Sequence, residues 1–335
     1  MKKILLSIAA LLFGLLAYSQ EADTLGKHAE VTIIPRLDVA PTFVKNDSKL
    51  GFNHGNSSLY TLFEGSASEH FSWTIANHWL SLGDNMGWPY QELGYSNSNN
   101  LFDYFRADLN FGNWTFSLGK DVISTGGFEY DSWDWEIYTD FATPLWNGLP
   151  CYQWGGKVAF ATPSGKSNFS LQMTSSPYGE RPFASGLWTY SAQWKGEYGC
   201  FSNIWSVSAL QKDKDNFYYL ISLGQRVSLD KWELTLDLNN NAGFDDDGME
   251  VRGFTAQGTV KYSLADNMNI ALKGTSVNFD GDSSLNDINI GTIFEYYPLS
   301  DSEDLRLHAY LNYDKVLNCT TLGLGALYNL RLKLW

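Results

Sequence analysis

The sequence predicts an all-β protein, a transmembrane antiparallel β-barrel of about sixteen strands with an inserted third outer loop. Three observations carry that expectation. Apolar residues occupy every second position in successive short runs along most of the chain. The links between these runs alternate between short and long. No stretch after the N-terminus approaches the roughly 18 consecutive apolar residues that a membrane-spanning helix needs.

The N-terminus has the pattern of an export signal. Lys2 and Lys3 precede an apolar run from Ile4 to Ala17, and Ala17-Tyr18-Ser19 places small residues where a signal peptidase reads. Residues 1–19 are expected to be a signal peptide and residues 20–335 the barrel. Removing Lys2 and Lys3 takes the formal net charge from −14 to about −16. That acidic balance argues against nucleic acid and against a polybasic membrane anchor. Three cysteines, Cys151, Cys200 and Cys319, are too few for a disulfide framework, and their spacing matches no metal motif.

The strands follow in order. Val31, Ile33, Pro35, Leu37, Val39 and Phe43 share one face, with Thr32, Arg36, Asp38 and Thr42 on the other. Pro35 and Pro41 are awkward there, because proline lacks the amide donor of a central ladder. A strand around Leu59 to Gly65 turns over Ser66-Ala67-Ser68 into Phe71, Trp73, Ile75 and Trp79. Phe105, Ala107, Leu109 and Phe111 lead through Gly112-Asn113, a two-residue hairpin pair, into Trp114, Phe116 and Leu118. The same rhythm runs through Val158 and Phe160, Phe169 and Leu171, Tyr190 and Trp194, Trp205 and Val207, Tyr219 and Ile221, and Leu234 and Leu236. It continues through Val260, Ile270, Ile290 and Leu307 to Leu322–Leu334 on even positions.

The links separate two architectures. A chain with 16% aromatic residues and 13 Trp fits a secreted glycan-binding β-sandwich as well as a barrel with aromatic belts. Short turns at one end and longer loops at the other are a barrel property, which a sandwich has no reason to keep. The longest link, Val122 to Cys151, is aromatic and acidic and shows no sustained period. Loops of that length inside a compact domain usually have a function, and this one is expected to fold into the channel as its constriction.

Gly119-Lys120, the run Gly126-Gly127-Phe128-Glu129-Tyr130-Asp131, and Gln172-Met173-Thr174-Ser175-Ser176-Pro177-Tyr178 resemble outer-membrane porins of Bacteroidota. In outline the chain is similar to the phosphate-selective porin O and P group. The resemblance implies a 16-stranded general diffusion porin, often trimeric, with its third outer loop turned inward. Such a porin sits in a Gram-negative outer membrane among lipid and lipopolysaccharide, is installed by the barrel-assembly machinery, and passes small polar solutes. The terminal Trp335 after an alternating strand resembles the signal that this machinery reads, although the apolar residues are one position out of step with it.

With the apolar faces turned to lipid, the opposite faces line water. The expected basic lining is Arg36, Arg106, Lys157 and Lys273, accompanied by Asp38, Asp108, His308 and Tyr310. Arg226, Lys261, Arg306 and Arg331 are expected nearer the periplasmic end. The inserted loop contributes Glu129, Asp131, Asp134, Glu136 and Asp140, and a field between these carboxylates and the basic wall would favour polar solutes. Trp133, Trp135, Tyr138 and Trp146 offer either a stacking surface for sugar rings or packing against the wall. Asp245-Asp246-Asp247 and Asp280-Gly281-Asp282 read as solvated loop carboxylates. No catalytic residue, cofactor or metal site is expected, since the five histidines form no HExxH and no GxSxG elbow exists. A barrel hydrolase built on His78 and Ser72, on one face of one strand, is the remaining enzymatic alternative.

Overall fold

A computed structural model describes residues 27–44, 50–53, 56–81, 102–179, 182–244, 250–281, 286–299 and 301–334. The signal segment, the link 82–101, the acidic run at 245–247, Asp282 and Trp335 lie outside them.

Sixteen strands form one antiparallel sheet that closes on itself. They are β1 (His28–Val44), β2 (Ser58–Ser68), β3 (Phe71–Ser81), β4 (Tyr104–Phe111), β5 (Trp114–Val122), β6 (Tyr152–Ala161), β7 (Ser167–Ser175) and β8 (Trp188–Tyr198). The second half comprises β9 (Phe201–Gln211), β10 (Phe217–Leu229), β11 (Trp232–Asn239), β12 (Gly253–Ala265), β13 (Met268–Phe279), β14 (Asp287–Tyr296), β15 (Leu305–Asp314) and β16 (Cys319–Tyr328). Two short pieces, Leu50–Asn53 and Leu330–Lys333, extend β2 and β16 along β1. Each strand pairs with its chain neighbour, and β1 pairs with β16 to shut the ring. A single closed sheet excludes the sandwich alternative.

The polarity of this barrel is inverted relative to a soluble protein. Leu37, Leu171, Tyr219, Leu272 and Leu311 point outward and are exposed, Leu171 to 68%. Their neighbours on the opposite parity, among them Arg36, Asp108, Gln172, Ser206, Asp237, Gln257 and His308, are buried. In water such an outer surface would drive aggregation, but lipid is its proper solvent. The alternation read from the sequence is therefore the alternation of the wall, strand by strand.

Turn chemistry fixes the short end. Gly112 adopts φ +57°, the left-handed conformation required by the first position of a tight hairpin turn. Glu69-His70, Gly199-Cys200, Asp230-Lys231 and Asp266-Asn267 close neighbouring hairpins with two residues each. The prolines of β1 are accommodated at the seam. β1 pairs with the C-terminal strand at Glu30–Ile33, Arg36–Val39 and Thr42–Val44, so Ile34-Pro35 and Ala40-Pro41 fall in the gaps. An imino acid with no donor costs least there.

One test follows from the inversion. Leu236→Arg, on an exposed apolar position of β11, should lower unfolding stability in lipid by about 2–4 kcal/mol if it lies near the bilayer midplane. Thr235→Arg, on the opposite parity, should cost less than half as much in the same denaturant titration.

Candidate channel interior

The link from Ile123 to Cys151 is tied to the wall by side chains from many strands. Its fold is local and irregular: two short 3-10 turns, Asp134–Glu136 and Thr139–Phe141, and one helical turn, α1 (Pro144–Gly148), capped by the Thr143 hydroxyl on Trp146 N. With so few internal hydrogen bonds, its backbone groups need partners elsewhere. The barrel supplies them. Arg36 Nη1 donates to the carbonyls of Trp135 (2.9 Å) and Ile137 (2.7 Å). Asp237 accepts from the amides of Phe128 and Glu129, both at 3.0 Å. Gln257 Nε2 donates to Glu129 Oε1 and to Phe141 O, each at 2.9 Å. Ser206 and Ser208 donate to the carbonyls of Gly126 and Ser124.

Three apolar anchors supplement these bonds. Trp135 packs with Ile34, Tyr60, Leu62, Tyr104 and Leu327. Tyr130, Leu145 and Leu149 pack with Leu210, Tyr218 and Leu220. Tyr138 and Phe141 pack with Ile293 and Tyr310. The segment thereby reaches β1, β2 and β4 on one side, β9 and β10 on a second, and β14 and β15 on a third. Gly127 makes the closest approach possible: a Cβ there would lie 2.0 Å from Asp237 Oδ1.

The predicted lining residues face inward, but they are matched rather than free. Arg36 is only 1% exposed and lies 3.1 Å from Asp38, which His308 Nε2 also contacts at 2.9 Å. Arg106 pairs with Asp108 at 3.0 Å and lies 3.5 Å from Asp121, and Lys157 reaches Asp121 at 2.6 Å. Lys273, on β13, stands opposite Thr259 of β12 in the ladder. Tyr310 donates to Asp140 at 2.6 Å. Arg36, Asp38 and His308 thus form a buried support under the segment, where an open water-facing lining was expected. Among the loop carboxylates, Glu129 is buried against Thr143 and Gln257, Asp131 pairs with Lys195, Asp134 accepts from the Tyr152 hydroxyl, and Glu136 pairs with Arg306.

Several interior participants lie outside the expected lining set. Asp237, Gln257 and Lys195 all touch the segment, and Lys120, 1% exposed, donates to Phe102 O at 2.7 Å. Asp237 and Gln257 lie on the inward parity of their strands, which is the signal that could have found them. Arg306, expected nearer the periplasmic end, reaches Glu136 and Glu295. Arg226 lies 4.1 Å over the Phe128 ring. Of the loop aromatics, Trp135 and Tyr138 are buried against the wall. Trp133 stacks on Trp135 with centroids 4.7 Å apart and remains half-exposed. His78 stacks on Tyr60 at 3.9 Å. Ser72 is six residues away along the same strand, about 20 Å at the usual strand rise, far beyond nucleophile–base reach.

Neither a family model nor a curated protein matches the chain. Solved structures match its fold. The barrel is similar to the outer membrane channel DcaP of Acinetobacter baumannii, with 12% identity and a TM-score of 0.59 over 92% of this chain and 99% of that one. It is also similar to an anion-selective porin from Comamonas acidovorans, at 10% identity and TM-score 0.61, covering 90% and 100% of the two chains. A mutant Rh. blastica porin gives 10% identity and TM-score 0.57, with 90% and 100% covered. At these identities the likeness is one of fold: this is the closed barrel architecture of outer-membrane porins.

Three outcomes test this interior. Arg36→Ala breaks a buried ion pair and two tethers, at a cost of about 3–5 kcal/mol, and should speed proteinase K cleavage within 122–151. Lys195→Ala removes a half-exposed pair, worth at most about 1 kcal/mol, and should leave cleavage unchanged. Gly127→Ala drives a methyl group into the Asp237 carboxylate and should speed cleavage as well.

The segment should also loosen as pH rises. Burial pushes Asp134 up to about 6, and burial together with the charge of Asp134 pushes Asp103 up to about 7. Each acid holds its proton more tightly folded than unfolded. Its stabilising contribution is therefore complete below the unfolded carboxylate range near 4 and is lost as pH climbs through about 6 and 7. Cleavage of the segment should be faster at about pH 8 than at about pH 5, and Asp134→Asn should flatten that difference.

Proposed function

We propose that the protein is a passive diffusion channel of a Gram-negative outer membrane, passing small polar or charged solutes. The observation that carries this reading is the closed barrel with an apolar outer wall, a polar interior, and a segment tethered to inward-facing side chains. In this reading residues 122–151 are the third outer loop, folded inward as the constriction, and 1–19 are removed on export. Apolar outward residues meet lipid and lipopolysaccharide, and the barrel-assembly machinery inserts the chain. A homotrimer and membership of the Bacteroidota porin O and P group belong to the same proposal, supported by the glycine-rich start of the segment. The protein is not an enzyme in this reading, and the distance along β3 between His78 and Ser72 speaks against the hydrolase.

Planar bilayers test it directly. The purified, heat-modifiable barrel should give stepwise conductance, and a carbonate wash should leave it in the membrane pellet. A correctly folded barrel that gives no conductance would end the channel reading.

A further inference from the structure

The wall of β4, β5, β6 and β8 faces the segment across a cavity of about 250 Å³. Its lining brings together Arg106, Lys157, Lys195, Asp121 and Asp131. The charges are matched. Lys157 Nζ lies 2.6 Å from Asp121 Oδ2, and Arg106 Nη1 lies 3.5 Å from the same oxygen. Arg106 Nε also meets Asp108 at 3.0 Å. Lys195 pairs with Asp131, and both of these side chains are nearly half-exposed. Three cations thus face three carboxylates, and the cluster carries no net charge.

A separate feature makes the cavity more than a group of ion pairs. Trp133 also lines it. Trp135 covers one face of that indole, with centroids 4.7 Å apart and 10° between the ring planes. Tyr104 meets it edge to face at 5.6 Å. These contacts hold the ring in place, yet Trp133 remains only partly buried. Packing of the segment does not need that exposure, because Trp135 alone sits in the apolar anchor, 5% exposed. A fixed, partly exposed aromatic ring beside polar groups suits a ligand with one apolar side and a hydrogen-bonding rim.

Charge balance decides which ligand. An anion would have to displace Asp121 from Lys157 and Arg106, leaving a mostly buried carboxylate without its partners. A cation would have to break the same pairs from the other side. A neutral ligand whose groups both donate and accept can bind without separating either pair. A hydroxyl donates to Asp131 or Asp121 and accepts from Lys195 or Lys157. Gln193 adds an amide donor and acceptor to the same space. Among neutral polyols, a pyranose ring also meets the aromatic requirement: the C–H bonds of one flat side rest against the negative face of an indole. We infer that this cavity is a binding subsite for a single neutral sugar ring, seated on Trp133 and held at its hydroxyls by Lys157–Asp121 and Lys195–Asp131. The volume falls just below the usual range of small-molecule pockets, which matches one ring rather than a longer glycan. The assignment rests on the channel reading and deepens it: among small polar solutes, the segment retains hexoses as they pass.

D-glucose is the probe, and D-sorbitol, its open-chain relative without a flat ring, is the control. In bilayers holding the full-length protein, D-glucose should reduce the open-channel current, and sorbitol at the same concentration should do so less. Saturation-transfer NMR in detergent micelles reads D-glucose binding without requiring conduction. Trp133→Ala should weaken both effects about tenfold, and Trp133→Phe should retain most of them. Lys195→Ala, which leaves the segment anchored, should weaken glucose binding several-fold, so it decides the matter if Trp133→Ala loosens the segment to proteinase K. No glucose signal, an equal effect of sorbitol, loss of the signal on adding inorganic phosphate, or undiminished binding by either alanine variant would each overturn the assignment. A conducting channel with any of those results leaves the channel reading standing. A silent barrel that still binds glucose supports the subsite and ends the channel reading.

Discussion

The pairing of β1 with β16 is the interaction on which the other features depend. Once first and last strands join, no edge strand is left, and ladder donors and acceptors find neighbours within the sheet except at the seam gaps of Ile34-Pro35 and Ala40-Pro41. Such a wall can face hydrocarbon with few unmet polar groups. Closure also creates an inside, and the inside of a sixteen-stranded ring is too wide for side chains alone to fill. Both the outward display of Leu, Phe and Trp and the polar interior follow from that geometry.

The interior is held by direction more than by oil. Arg36, Asp237 and Gln257 each bond the segment at backbone groups that have no partner in regular structure, so position is specified atom by atom. Apolar contacts at Trp135, Leu145 and Phe141 supply the remaining cohesion at three places around the ring. Arg36 illustrates how one side chain serves two ends: Asp38 neutralises it, and its other face serves carbonyls from a stretch about a hundred residues distant.

The wall was legible in the sequence because a strand has period two, and lipid rewards that period on one face only. Leu37, Leu171, Leu236 and Leu311 each appear where alternation places them. The tight turn at Gly112-Asn113 was legible for the same reason, through local backbone chemistry. The interior was less so. Parity says that Arg36 points inward, but not that Trp135 and Ile137 sit on top of it, because that contact joins positions about a hundred residues apart. Arg306 stands at the short-turn end of β15 as parity and strand order place it, but that Glu136 of the segment meets it there joins positions far apart in the chain. Asp237 and Gln257 carry the inward parity as well, but parity alone does not tell a tether from any other polar residue on that face.

The two prolines of β1 have a consequence for how the ring comes apart. A zipper loosens first where teeth are missing, and the seam lacks them at Ile34-Pro35 and Ala40-Pro41. The short paired stretches between those gaps can separate singly, whereas an unbroken ladder such as β9 with β10 resists as a unit. The seam is thus the natural hinge line of the cylinder, and the last line along which a nascent sheet would seal.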